Sequence, residues 1–218
     1  MNSITKRILI IGALFAIAVA IGYPIVNRKT LPIYNPADIN PRLVSDSMRH
    51  INSGHNIPSF QLINQNGDTV TDKDFNGKIY VSDFFFTTCT NICPIMTGQL
   101  KRVYDEYKGD KDVMFLSHTS MPEVDTPAVL KKYSLRFGAE LPQWQFVTGN
   151  KKEIYQLARN SYLAVQTKGN GDVNDFIHTE NLVLIDTKKR IRGFYDGTST
   201  DEVNQLIEDI EVLKEEIH

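Results

Sequence analysis

Cys89 and Cys93 are the only cysteines of the chain, and they stand four apart in Thr88-Cys89-Thr90-Asn91-Ile92-Cys93-Pro94. A disulfide between them would close so short a loop that it constrains the unfolded chain little, a weak staple for a domain of this size. Inert buried thiols do not suit a position between a strand and a helix start. The pair therefore points to chemistry. At a helix N-terminus the unpaired N–H groups and the macrodipole favour the thiolate, so both sulfurs are expected to be more acidic than a free cysteine. A thiolate is both a redox nucleophile and a soft ligand, and soft sulfur selects Cu(I) or Zn over harder ions. Structural zinc takes four Cys or His ligands, and no second cysteine pair exists to complete such a site. Copper accepts fewer, and one histidine added to the two cysteines gives a three-coordinate set.

The histidines are His50, His55, His118, His178 and His218. His50 and His55 lie near a proline-containing stretch and His218 is the last residue, so solvated side chains are the default for these. His118 and His178 depend on the elements that carry them. Ile79 to Phe86, rich in β-branched and aromatic residues, predicts a buried central strand. From Pro94 to Tyr107 apolar residues recur at three- and four-residue spacing, which predicts a helix, and Val113 to Ser117 reads as the next strand of a parallel βαβ unit. The active loop of such a unit projects from the strand C-termini, so Cys89 and His118 emerge at one edge. If the strand Asn181 to Ile185 runs antiparallel to the central one, its leading end brings His178 to the same edge.

The remaining pattern fits this frame. Phe60 to Ile63 and Thr69 to Thr71 flank the turn Asn66-Gly67-Asp68 and predict a hairpin. Ala128 to Phe137 reads as a helix, Trp144 to Val147 as a short strand, Lys151 to Asn160 as a short helix and Ile191 to Tyr195 as a strand. Ser199 and Glu202 have capping-box spacing ahead of the stripe Val203, Leu206, Ile207, Ile210 and Leu213, a final helix. A βαβ unit, an insertion and a ββα unit make an α/β, thioredoxin-like arrangement with an N-terminal hairpin and a helical insertion.

With 218 residues, 41% hydrophobic and 23% charged, the chain has the composition of a folded domain, and a net charge of -2 lacks the basic excess that nucleic-acid binding needs. Ile8 to Val26 carries no charge, and a helix of that length nearly crosses a hydrocarbon core of about 30 Å. The expectation is one transmembrane helix as an anchor over residues 1–27; a cleaved signal peptide is the alternative, given Ala18-Val19-Ala20. Either places the remainder outside the cytoplasm. Residues 28–54, with Pro32, Pro36 and Pro41, read as a tether or as a segment packed along the surface, and residues 55–218 as the folded domain.

The chain resembles the SCO/SenC family, the copper-delivery proteins of cytochrome c oxidase assembly. The resemblance runs from about Leu31 to Glu216 and is carried by Cys89-x-x-x-Cys93-Pro94 after an aromatic strand, Asp125-Thr126-Pro127, His178 before Asn181-Leu182-Val183-Leu184-Ile185-Asp186, and Gly193-Phe194-Tyr195-Asp196-Gly197. It implies a metallochaperone that binds one copper ion through Cys89, Cys93 and His178 and supports the copper centre of an oxidase subunit, from a membrane-anchored position on the extracytoplasmic, periplasmic side. Thr90 stands where many members have Pro, and Met121 where an Asp usually precedes the Pro that is here Pro122, which leaves His118 and Met121 as further ligand candidates. The rival is an extracytoplasmic thiol-disulfide oxidoreductase using Cys89 and Cys93 as a redox pair without copper, with Asp83 resembling the buried carboxylate of thioredoxins. Either function implies a thioredoxin-like reductant as partner. A peroxidase is disfavoured because the Thr-x-x-Cys spacing of Thr90 and Cys93 has no Arg close by in the sequence.

Overall fold

The computed structural model describes residues 7, 11–12, 14–17, 29–41, 44–165, 169, 172 and 175–217. The chain divides into two units, 1–30 and 31–218. In the first, the described residues 7, 11–12 and 14–17 are helical, with Ile11, Leu14, Phe15 and Ile17 exposed. Among the described residues no helix is long and apolar enough to cross a membrane. Most of the apolar run 8–26, on which the transmembrane expectation rests, lies outside them.

The second unit is built on one seven-stranded mixed sheet. Its strands are β1 (Gln61–Asn64), β2 (Thr69–Thr71), β3 (Ile79–Phe85), β4 (Val113–Thr119), β5 (Trp144–Thr148), β6 (Asn181–Ile185) and β7 (Ile191–Asp196), in the order β2-β1-β5-β4-β3-β6-β7. The helices are α1 (Ile92–Glu106), α2 (Pro127–Arg136), α3 (Lys151–Gln156) and α4 (Thr200–Ile217). Strands β3, β4 and β5 are parallel, joined through α1 and α2, while β6 runs antiparallel to β3 and β7 antiparallel to β6. The predicted hairpin is present as β1 and β2. Every residue of β3 and β4 is buried, as expected of strands covered on both faces.

Strand alternation then sorts side chains between two cores. Ile79, Val81 and Phe85 of β3 and Phe115 of β4 pack with α1, α2 and α4 in one cluster. Tyr80, Phe84 and Leu116 join Phe60, Phe75, Tyr155 and Tyr162 on the opposite face.

Three local features differ from the sequence expectation. Helix α1 begins at Ile92, two residues before Pro94, which a first helical turn tolerates because its N–H would have no intrahelical acceptor. The helix from Lys151 ends at Gln156 and passes into a π-helical turn, Leu157–Ser161. At the head of α4 the Ser199 hydroxyl accepts from the Glu202 N–H at 3.4 Å, but the Glu202 carboxylate reaches past Ser199 to the Asp196 N–H at 2.6 Å.

Residues 31–41 and 44–54 make specific contacts with the sheet. The Arg192 guanidinium donates to the carbonyls of Leu31 (2.7 Å) and Pro32 (3.0 Å), and the Leu31 N–H donates to Glu216 at 3.1 Å. The Tyr34 N–H bonds the Ile191 carbonyl at 2.9 Å, and the Val44 side chain is wholly buried in the second core.

Candidate metal centre

Strand β3 ends in a loop, 86–91, that turns directly into α1; Cys89 sits in the loop and Cys93 in the first turn of the helix. Two ties fix it. The Ser120 N–H donates to the Phe85 carbonyl at 2.7 Å, and the fully buried Asp125 carboxylate accepts from the Thr87 N–H (3.1 Å) and from the hydroxyls of Thr87 and Thr119. One carboxylate thus staples the loop after β3 to the end of β4.

Both cysteines are free thiols, Cys89 half-buried and Cys93 only 2% exposed. The Cys93 N–H donates to the Cys89 sulfur at 3.4 Å. Partial burial would raise the Cys89 thiol, but the N–H groups of Cys93, Asn91 and Ile92, at the positive end of α1, outweigh it and hold the thiol below its ordinary value. Cys93 goes the other way. Burial pushes it up to about 12, with the neighbouring Cys89 sulfur and the Asp83 carboxyl adding to the rise and the Phe86 N–H opposing it. The expectation that both thiols would be acidic therefore holds for Cys89 alone, because Cys93 lies inside the first turn and faces the core.

Asp83 lies two residues from both Val81 and Phe85 and so shares their face, the cysteine face of the sheet. Burial raises its carboxyl to about 7, against the lowering effect of the Ser117 hydroxyl, which donates to Oδ1 at 2.5 Å. Oδ2 has no hydrogen-bond partner among the described residues.

The two histidine candidates separate cleanly. His118 stands opposite Phe84 in the parallel register and points to the other face, its ring stacked on Phe84 at 4.7 Å and flanked by Tyr162 and Phe60. It is fully buried, which depresses its pKa to about 3, and its Nδ1 lies 3.3 Å from both the Ser82 hydroxyl and the Asp83 carbonyl. His118 is thus at the expected end of the sheet but on the wrong side of it. This disposes of His118 as a partner of the thiols.

His178 is exposed, between the buried Ile177 and Thr179, just ahead of β6. Because β6 pairs antiparallel to β3 through Ser82 and Val183, its leading end lies beside the cysteine end of β3, as the strand directions require. The segment is pinned from several sides. Phe176 sets its ring edge-on to Phe86 of the cysteine loop at 5.2 Å between centroids. Asp175 takes both guanidinium nitrogens of Arg159 at 2.7 Å, and the Tyr155 hydroxyl lies 2.8 Å from the Ser120 carbonyl and 3.2 Å from that of Asp175. The Gly197 N–H donates to the Glu180 carbonyl at 2.7 Å. A Cβ at Gly197 would meet Met96 Cγ at 2.6 Å and that carbonyl at 3.0 Å, so only glycine lets this turn approach both α1 and the His178 segment. Among the described residues no three His, Cys, Asp or Glu side chains are already gathered as a metal cluster. The fold pairs the thiols and leaves the imidazole turned outward on the adjoining loop.

Of the other histidines, His50 is exposed, the His55 Nε2 lies 2.8 Å from the Ser161 carbonyl, and His218 lies outside the described residues. Sequence reasoning missed Arg159, Asp175 and Tyr155, which join only through the tertiary fold. Gly197 was visible as part of a motif, but its reason was not.

The SCO1/SenC family model matches residues 49–215. Among solved structures, the chain is similar to a SCO1/SenC family lipoprotein from Bacillus anthracis, with 30% identity, coverage of 73% of this chain and 95% of that one, and a TM-score of 0.64. It is similar to BsSco, described by a disulfide switch and as a member of the Sco family of cytochrome c oxidase assembly proteins, at 28% identity, 74% and 94% coverage and a TM-score of 0.63. Bradyrhizobium japonicum ScoI with copper bound matches at 27% identity, 73% and 99% coverage and a TM-score of 0.58.

Proposed function

The chain belongs to the SCO1/SenC family, and from that premise we propose that it is a copper metallochaperone that takes one copper ion through Cys89, Cys93 and His178 and supports assembly of the copper centre of a cytochrome c oxidase subunit. One observation carries the reading: two free thiols meet at the start of α1, and the segment bearing His178 is docked on their loop through Phe86 and Phe176. The donor chemistry fits a soft ion, and the similar protein from B. japonicum holds copper. Copper is the cargo. Cys89, outermost and most acidic, makes first contact. Cys93 binds by giving up its proton to the metal's competition, since metal binding displaces protons from its ligands. Asp83, on the same face, within electrostatic reach of Cys93 and raised to about 7, is suited to take that proton. His178 completes the set by turning inward from its exposed position.

We also propose that residues 8–26 anchor the domain at the extracytoplasmic face of a membrane. The uncharged run supports this, as does likeness to a family lipoprotein.

The test is copper titration of the reduced protein. Wild type should take one Cu(I), and Cys89→Ser or Cys93→Ser should sharply weaken it; undiminished affinity in the double variant would sink the proposal. His178→Ala should damage Cu(II) binding far more than Cu(I), because two thiolates satisfy Cu(I) while Cu(II) prefers nitrogen and higher coordination.

A second reading is favoured by the contrast between an accessible acidic thiol and a buried one of high pKa, an arrangement suited to attack and resolution in thiol-disulfide exchange. The disulfide switch described for BsSco supports it. Copper-free protein that stoichiometrically reduces a disulfide peptide, in a Cys89-dependent way, would favour this reading; it would draw electrons from a thioredoxin-like reductant.

A further inference from the structure

The turn after β4 carries a sulfur that the three-ligand reading does not use. The Met121 N–H donates to the Thr119 hydroxyl at 3.0 Å, and its carbonyl accepts from the N–H groups of Val124 (3.0 Å) and Asp125 (2.9 Å), so the backbone of this residue is fixed on both sides. Asp125 joins the same turn to Thr87. Across that joint the Thr88 hydroxyl donates to the Met121 sulfur at 3.8 Å, and Thr88 is the residue before Cys89. Met121 is half-buried, at the rim of the cysteine loop. Among the other described methionines, Met96 is wholly buried, Met114 nearly so, and Met48 packs against the opposite core.

We propose that the Met121 thioether is an auxiliary soft ligand of the thiol site, joining Cys89 and Cys93 on Cu(I); the inference rests on the copper reading above. Thioether sulfur is neutral and polarizable, favours Cu(I), and sits on an unbranched chain able to swing from Thr88 toward the metal. An aspartate at this position would offer a hard anionic oxygen instead. The methionine therefore biases the site toward the reduced ion. A thioether carries no proton to lose on binding, so it joins the metal without displacing one.

The experiment compares full-length reduced wild type with Met121→Leu, Met121→Asp, Met48→Leu and the Cys89→Ser/Cys93→Ser double variant, using a chromophoric Cu(I) chelator in competition and X-ray absorption at the copper edge. Circular dichroism confirms folding of each. Met121→Leu should lose about tenfold in Cu(I) affinity, the scale expected of a supporting partner at a metal site, and should remove one sulfur from the copper shell. Met121→Asp should lose Cu(I) affinity and gain affinity for Cu(II), and Met48→Leu should match wild type. Equal affinity and equal sulfur count in Met121→Leu and wild type, with binding lost in the double cysteine variant, would overturn the inference and leave the copper reading standing. Undiminished binding in the double cysteine variant would overturn both.

Discussion

The most informative single residue outside the donor set is Asp83. Its carboxyl is raised to about 7 inside the fold and titrates near 3.8 when exposed. For an acid whose folded pKa is raised, the neutral form is the one the fold favours, so its favourable contribution is complete below the unfolded value and is lost as pH climbs through the folded one. Between about pH 4 and pH 7 the wild type should therefore lose stability on the order of 3–4 kcal/mol from this residue, since the loss runs at up to about 1.4 kcal/mol per pH unit and is smaller near each of the two pKa values. Asp83→Asn keeps the shape and cannot ionise, so its stability relative to wild type should rise steadily over that window. Urea denaturation at several pH values measures it, and a constant difference from pH 4 to 8 would show that Asp83 does not titrate as described. The two thiols teach a related lesson about reading sequence. A helix start predicts acidity for any cysteine placed there, and Cys89 obeys. Cys93 does not, because depth in the core decides its environment and a linear motif does not reveal depth.

Among the elements, periodicity was a good guide wherever burial was regular. The central strand, the βαβ unit and β6 were legible because alternation or a continuous apolar run marks each. The choice between His118 and His178 needed one more fact, the face of the sheet to which each residue points. That fact was latent in the pattern: Phe115 packs on the α1 face, so His118, three residues on, must point away from it. The π-helical turn Leu157–Ser161 was not legible, since it serves a contact between Arg159 and Asp175 across a polar stretch of no fixed period. The two side chains of that pair are only 7% and 9% exposed. Arg159→Ala removes the guanidinium from a buried carboxylate and is expected to cost about 3–5 kcal/mol. It should also loosen the His178 segment and weaken Cu(II) binding in the manner of His178→Ala. An unchanged urea midpoint with unchanged Cu(II) binding would show that the pair does not hold the loop.

On the scale of the molecule, the second unit includes the segment from Leu31. A domain begun at residue 55 would forfeit the burial of Val44 and Leu31 and the carbonyls that hold Arg192. At about 1.5–3 kcal/mol for each aliphatic side chain buried, such a shortened protein should be at least about 3 kcal/mol less stable than one begun at residue 29. That corresponds to a drop in Tm of about 10 °C for a domain of this size, readable by calorimetry; equal midpoints would mean that the segment only rests on the surface. The sheet itself sets a different kind of limit. Ser117 bonds Asp83 on the cysteine face of the sheet while its neighbour His118 faces the aromatic core, so the frame of β4 decides which side chain stands beside Asp83. Deleting or inserting one residue within that strand would exchange the two, bringing an imidazole into the thiol chamber and a hydroxyl into the aromatic one. From Val113 to Leu116 β4 can exchange one apolar side chain for another of like volume, but its length is fixed: the strand behaves as a reading frame for the chemistry at its end.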